Sequence, residues 1–414
     1  MREVTQPVRA RGTMRSAVAV VAALAALLAF APVASATSDP LASGTTTITL
    51  NKGLYKKLKK NGVKVLKVSP ATVKKRTVKL PVSGGSLDPT TGVGTVEHNG
   101  GIKFKHGKKT ATVNTLVLET ATASLKAKVA GKNMKLASVK GVTLTRNGFG
   151  ANVSITALKL TGKAAKQLNK KLGFTGKKKN KNGKKVAVKP LFKGNQTLGA
   201  AASETQPKTV GVLAGGNTNL TLSPAALQKL ARVGPPPGEG EGPFAVKLGI
   251  VPPTTLVSAG PPPTLGFPIS GGTIAPDATG GIVQHTGGIT LTQNLEAVGK
   301  GETTLTMSNI WLDMGAKTAT VEVTIENPKT PEANLGNLGR SSIADIQLTG
   351  ATITSNPLTR TVSVQNGTAT LQAVTAETLN SVFITPIEKA TAEPQEKFAA
   401  GDPLGTFSFT VTTQ

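Results

Sequence analysis

Along most of this chain apolar and polar positions alternate singly, with β-branched residues concentrated in runs such as "TATVNTLVLET", "ANVSITALKL", "TATVEVTIE" and "RTVSVQNGTATLQAV". A period of two turns one face of each run to a core and the other to water, which predicts short antiparallel strands. Asn147-Gly148 and Asn366-Gly367 read as the tight turns that punctuate them. Helical spacing occurs only briefly. Asn51 and Ser223 read as N-caps, followed by Leu54, Tyr55 and Leu58 in one place and Ala226, Leu227 and Leu230 in the other. A later helical turn is expected at "TGKAAKQLNKKLG" and again at "TAETLNSVF".

The chain is one unit written twice. "LPVSGGSLDPTTGVGTVEHNGGI" (80–102) aligns without a gap with "FPISGGTIAPDATGGIVQHTGGI" (267–289), 11 of 23 positions being identical. Upstream, "TITLNKGLYKKLKKNG" parallels "NLTLSPAALQKLARVG"; downstream, "FKGNQTLG" parallels "FAAGDPLG". Collinear matches over so long a period indicate a duplicated domain and not a solenoid repeat. Unit 1 is expected at 43–207 and unit 2 at 208–414. The fold class predicted is all-β, two tandem sandwich-like domains with two short helices each. "GPPPGEGEGPF" and "SAGPPPTLG" in unit 2 read as exposed loops, and "GFTGKKKNKNGKKVAVK" in unit 1 as a mobile lysine-rich loop.

Residues 1–36 change the compartment. Arg9, Arg11 and Arg15 precede an apolar run that ends in Ala34-Ser35-Ala36, the arrangement of a secretory signal peptide. An exported chain of 414 residues with no cysteine must be stabilised by core burial without disulfides. Thiol chemistry and cysteine-ligated metals are excluded. The charge is divided: residues 41–208 hold 35 Lys+Arg against 4 Asp+Glu, and residues 209–414 hold 10 against 15. The basic unit suits anionic partners such as acidic wall polymers, or is a solvated face that keeps the protein soluble. With no aromatic platforms among the lysines, nucleic acid is not the expected partner.

The order of short helix, "SGG" turn, "G-x-V-x-H-x-G-G-I" strand, alternating strands, late helix and "F…LG" resembles the HtaA domain of secreted and surface proteins in actinobacterial haem uptake. The resemblance implies haem as ligand, held by an early tyrosine with a supporting histidine, and relay toward a membrane haem transporter or receptor. On this sequence it points to Tyr55, the only tyrosine, and to His106 after "GGIKF", with Lys103 and Lys105 neutralising the propionates. A phenolate is a known axial ligand of ferric haem, and a hydrogen-bonding imidazole favours the charged form of a phenol. The repeat places Leu227 opposite Tyr55 and roughly Gln293 opposite His106, so unit 2 lacks both groups.

Other readings of the same residues stay open. Tyr55 also suits an apolar helix position packed on the sheet, and His106 an exposed turn among lysines. His98 and His285 recur in register, which favours a local role at a turn or strand end over one metal ligand per unit. No nucleophile elbow, zinc-protease motif or phosphate-binding glycine loop is present, and unit 1 holds only four carboxylates, so an enzyme is not expected. The alternative to haem capture is an envelope-binding β module that has lost haem chemistry.

Overall fold

The structure is a computed structural model that describes residues 38–179, 184–233 and 244–414. The expected leader at 1–36, nearly all of the insert at 234–244 and the middle of the lysine-rich loop lie outside these residues. Unit 1 contains β1 (Asp39–Leu50), β2 (Val63–Val68), β3 (Thr72–Lys74), β4 (Thr77–Leu87), β5 (Gly94–His106), β6 (Lys109–Glu119), β7 (Ser124–Val129), β8 (Lys132–Asn147), β9 (Gly150–Leu160), β10 (Lys177–Lys179), β11 (Lys185–Ala187) and β12 (Thr197–Pro207). Its helices are α1 (Lys52–Lys60) and α2 (Gly162–Leu172).

The strands are all antiparallel, and their order, β4-β5-β6-β7-β8-β9-β12-β1, returns to β4. The sheet therefore closes into an eight-stranded ring, which gives the expected all-β, sandwich-like domain a continuous wall. Closure removes the edge strands that an open sheet would expose. Only β2 and β3 branch off, from β5 and β4. The lysine-rich segment is not wholly irregular, because β10 and β11 pair as a small ribbon and Val188 beside them packs on the core.

Unit 2 follows the same path with β13 (Val210–Gly211), β14 (Asn217–Leu222), β15 (Val246–Val251), β16 (Thr255–Ser258), β17 (Thr264–Ile274), β18 (Gly281–His285), β19 (Gly288–Asn294), β20 (Glu302–Asp313), β21 (Thr318–Glu326), β22 (Gly336–Gln347), β23 (Thr352–Asn356), β24 (Thr361–Leu371) and β25 (Pro403–Thr412). The ring runs β14-β17-β18-β20-β21-β22-β24-β25 and back to β14. α3 (Pro224–Ala231) stands where α1 does; α4 (Ala373–Leu379), a π-helical turn at Asn380–Ile384 and α5 (Thr385–Thr391) replace α2.

The "SGG" motif is a property of this closure. A Cβ on Gly85 would lie 2.3 Å from the Thr95 carbonyl oxygen, and one on Gly272 2.0 Å from that of Ile282. Both glycines have positive φ and sit where the ring-closing pairs β4–β5 and β17–β18 form beside a bulge. Asn147-Gly148 turns from β8 into β9 as its sequence suggests. Asn366-Gly367 instead lies inside β24 as a bulge, because the same left-handed preference serves a bulge against the Phe407 ring.

The two units touch through the β8–β9 turn. Phe149 is buried in the core of unit 2, and the Arg146 guanidinium donates to the main-chain carbonyl of Gln414. Asp39, buried at the same junction, accepts from the Gly211 amide at 3.3 Å, and burial pushes its carboxyl up to about 6. Truncating Phe149 to alanine should cost about 3 kcal/mol, the lower end for a buried Phe, and should separate the unfolding of the units. Calorimetry is expected to show two resolved transitions in the variant; an unchanged single transition would mean that Phe149 does not couple them.

Candidate functional site

Two of the three histidines lie inside the rings. His98 on β5 reaches across to β1 and β6: its Nε2 is 2.5 Å from Thr46 Oγ1 and its Nδ1 3.0 Å from the Leu116 carbonyl oxygen. A carbonyl only accepts, so Nδ1 carries the proton and Thr46 donates to Nε2. Thr46 Oγ1 then accepts from Ser203 at 2.6 Å, and the chain of hydrogen bonds ends on β12. In unit 2, Thr218 and the Ile310 carbonyl hold His285 in the same way, at 2.6 and 2.9 Å. Burial pushes both imidazoles down, His285 to about 4, against the opposing pull of the carbonyl. Both nitrogens of each ring are occupied, so His98 and His285 tie strands together and offer no lone pair to a metal. No three of His, Asp and Glu converge among the described residues.

His106 ends β5 on the same face as Ile102 and Phe104, which are buried. Its Nδ1 donates to the Leu172 carbonyl at 3.0 Å, and its ring stacks on Phe174 with centroids 4.6 Å apart. No hydrogen bond to Nε2 occurs among the described residues. Tyr55 is half-buried on α1, one turn from Lys59, whose ammonium lies 5.4 Å from the ring centroid. α1 forms because the Asn51 side chain accepts from the Gly53 and Leu54 amides while Leu54 and Leu58 are buried beneath it. The helix leads straight into β2, where Val63 pairs with His106, so Tyr55 and His106 share one end of the ring. No hydrogen bond joins them among the described residues. Lys103 and Lys105 project from the opposite face of β5, since they alternate with Ile102, Phe104 and His106. Lys109, paired with His106 where β5 turns into β6, lays its side chain against Gly173.

The capping frame of this end is duplicated. Lys57 donates to the Leu191 carbonyl at 2.6 Å and Lys229 to that of Lys397 at 3.1 Å. Asn169 donates to the Phe192 carbonyl and accepts from its amide; Asn380 does the same with Phe398. Gln293 pairs with Val246 as His106 does with Val63, and its amide donates to the Phe383 carbonyl as His106 does to that of Leu172. These pins were not singled out from the sequence, although the repeated Leu-Asn of "QLNKK" and "TLNSV" was visible in segments that aligned. Anchoring the late helix is thus shared by His106 and Gln293. Among the described residues only His106 keeps an imidazole nitrogen with no hydrogen-bond partner.

Filling differs between the two ends. α3 buries no side chain, whereas α1 buries Leu54 and Leu58. By register Leu54, Phe104 and Leu191 correspond to Ala226, Leu291 and Lys397, so less apolar volume enters unit 2. The result is a cavity of about 320 Å³ between α3, α4 and the sheet, lined by Leu227, Leu291, Met307, Ile310 and Leu379 among others. The corresponding space in unit 1 is about 30 Å³.

A closed antiparallel ring capped by two helical segments, present twice, defines this chain as a tandem of small all-β domains. No family model and no curated protein sequence matches it. Three solved structures from Corynebacterium glutamicum are similar to about half of it. The C-terminal domain of HtaA shares 12% identity over 50% of this chain and 99% of that one, with a TM-score of 0.31. The N-terminal domain of HtaA shares 14% over 49% and 99%, with a TM-score of 0.30. The heme binding protein HtaB shares 12% over 50% and 97%, with a TM-score of 0.29.

The buried imidazoles make stability depend on pH with a defined sign. As pH falls below 6.5 the unfolded chain takes up the proton first, so the His285 contribution is whole above 6.5 and is lost as pH drops toward about 4. In the variant His285→Gln the amide can serve both Thr218 and Ile310 without titrating. Urea unfolding of this variant should lose up to about 3 kcal/mol of pH dependence across that window. An unchanged slope would assign the acid sensitivity elsewhere.

Proposed function

We propose that this protein is an exported haem-binding protein of HtaA type that captures or relays haem at the cell envelope, with unit 1 as the binding unit. The observation that carries this reading is the His106 imidazole, with Nδ1 fixed on the Leu172 carbonyl and Nε2 unclaimed among the described residues, on the same end of the ring as Tyr55. A histidine anchored through one nitrogen to a carbonyl is the usual preparation for the other nitrogen to serve a metal or its ligand. The haem is cargo, and its ferric iron supplies the Lewis acid that a phenolate oxygen prefers.

Tyr55 is the residue assigned to the iron. His106 Nε2 takes up the phenolic proton, and the resulting imidazolium donates both to the Leu172 carbonyl and to the phenolate. Phe174 keeps the imidazole plane fixed. Lys59 beside the Tyr55 ring and Lys109 opposite His106 are assigned to the propionates, with Lys103 and Lys105 adding positive charge from the other face of β5. The task of these residues is binding and orientation, and no reaction is assigned to them. Export rests on the leader at 1–36, and release of haem to a membrane transporter or receptor follows from the resemblance to HtaA domains.

A second reading, adhesion to anionic wall polymers, is favoured by the charge of unit 1. Four carboxylates cannot pair 35 cations within residues 41–208, and Lys177, Lys179 and Lys185 of the β10–β11 ribbon are exposed.

Titration with ferric haem tests the first reading. Wild type is expected to give a Soret band distinct from free haem, lost in Tyr55→Phe. In His106→Gln, which keeps the helix anchor as unit 2 does, binding should weaken about 10-fold or more. A band identical in wild type and Tyr55→Phe would remove Tyr55 as ligand. For adhesion, replacing Lys177, Lys179 and Lys185 by alanine should lower salt-sensitive retention on isolated cell envelopes; full retention would reject the ribbon as the contact.

A further inference from the structure

Haem binding by unit 1 leaves the cavity of unit 2 unexplained. Its walls are aliphatic on nearly every side, contributed by α3, α4 and strands of both core clusters. Water entering it would find few polar partners along the aliphatic walls. Its volume falls in the range of about 300–1,000 Å³ typical of ligand pockets. The core of unit 2 is split into two clusters along the cavity, with Ile310, Ile343 and Leu404 touching both.

The lining offers haem little. No histidine or tyrosine lines it; the groups able to coordinate iron are the Met307 thioether and the Glu396 and Asp402 carboxylates, and both carboxylates are paired with Lys229. Leu227 and Gln293 stand at the places of Tyr55 and His106, and the Gln293 amide is committed to the Phe244 and Phe383 carbonyls. Charge collects at one end. Lys229 is bound by Asp402 at 2.8 Å and Glu396 at 3.5 Å, so it is neutralised in place. Arg232, at the C-cap of α3, also lines the cavity, is exposed and has no carboxylate partner among the described residues. β15, which packs beside α3, exposes Ile250, and β16, the next strand in the chain, exposes Leu256 and Val257, apolar groups outside the cavity. The π-helical turn that follows Leu379 is a feature frequent where helices border functional sites.

We propose that unit 2 binds a long-chain carboxylate, with the alkyl chain in the cavity between α3 and α4 and the carboxylate on the Arg232 guanidinium. A linear chain matches mostly aliphatic walls that provide dispersion contacts, and Arg232 supplies the planar, bidentate recognition that a carboxylate takes. The site is separate from Tyr55 and His106, so each unit carries its own ligand.

Displacement of cis-parinaric acid from the delipidated two-unit chain tests this. Saturable binding of one probe per chain is expected, displaced by palmitate and at least 10-fold less well by hexadecanol and by methyl palmitate, which lack the anion. Lysophosphatidate, with a phosphate head on a similar chain, distinguishes a lipid source from a free fatty acid by its relative displacement. Arg232→Ala, an exposed change that leaves the core intact, should weaken palmitate about 10-fold with hexadecanol unaffected. Ala226→Phe, which places a ring in the cavity, should weaken probe binding at least 10-fold with the circular dichroism spectrum retained. Absence of saturable binding, or palmitate affinity unchanged in Arg232→Ala, would overturn the proposal. So would displacement of the probe by haem in a Tyr55→Phe, His106→Gln background with none by palmitate. Failure of haem to bind wild type would leave this result intact, because the two readouts report different units.

Discussion

Closure of each sheet on itself is the constraint on which the remaining structure depends. A chain with no disulfide and few aromatic residues has to satisfy its backbone and cover its core with strands that are mostly Thr, Val, Ala and Gly. An open sheet of this composition would expose two edges; the β4–β5 and β17–β18 pairings join them. Those pairings require backbones to approach where no Cβ fits, which is why the same glycines recur in both units. His98 and His285 then cross-tie the ring from within through threonines on the first strand. The repeated histidine, expected at a turn or strand end, is in the fold a tie between strands of the closed ring.

Once the ring is closed, its open end has to be capped, and the cap is where the two units part. The pins are retained: Lys57 and Lys229, Asn169 and Asn380, His106 and Gln293 bind corresponding carbonyls. What lies under and over the cap has changed. Unit 1 fills the space with Leu54, Leu58 and Phe104 and carries a tyrosine and an imidazole at the rim. Unit 2 has smaller groups at the matching places and is hollow. A shared scaffold that is over-determined by hydrogen bonds tolerates such divergence, because the frame does not rely on any one side chain filling the cap.

Charge divides along the same line. Unit 1 carries lysine over most of its polar face, while unit 2 holds a mild excess of carboxylates, several of them used locally in pairs such as Lys229 with Asp402 and Arg340 with Glu322. The units meet at Phe149, Arg146 and Asp39, a junction of one aromatic side chain and a few buried polar groups. That junction fixes the two domains as neighbours and leaves the capped ends to differ in their chemistry.

The amino-acid sequence alone determined the elements, because strand alternation and N-capping are local effects: the runs around Val113, Val153 and Val323 are strands, and Asn51 and Ser223 cap helices. It determined the duplication as well, down to the pairing of His98 with His285. Whether the sheet opened or closed depended on the long-range pairing of β4 with both β1 and β5, which no local pattern encodes. Asn366-Gly367 shows the same limit, since one dihedral preference serves a turn or a bulge and the partner strand decides. The candidate site was half legible. Tyr55 and His106 stood out as unique residues, but the strand pleat separates Lys103 and Lys105 from His106, and Phe174 joins it only through packing. The cavity was not legible at all, because a void is set by the summed volumes of residues far apart in the chain, and only the tertiary structure brings those volumes together.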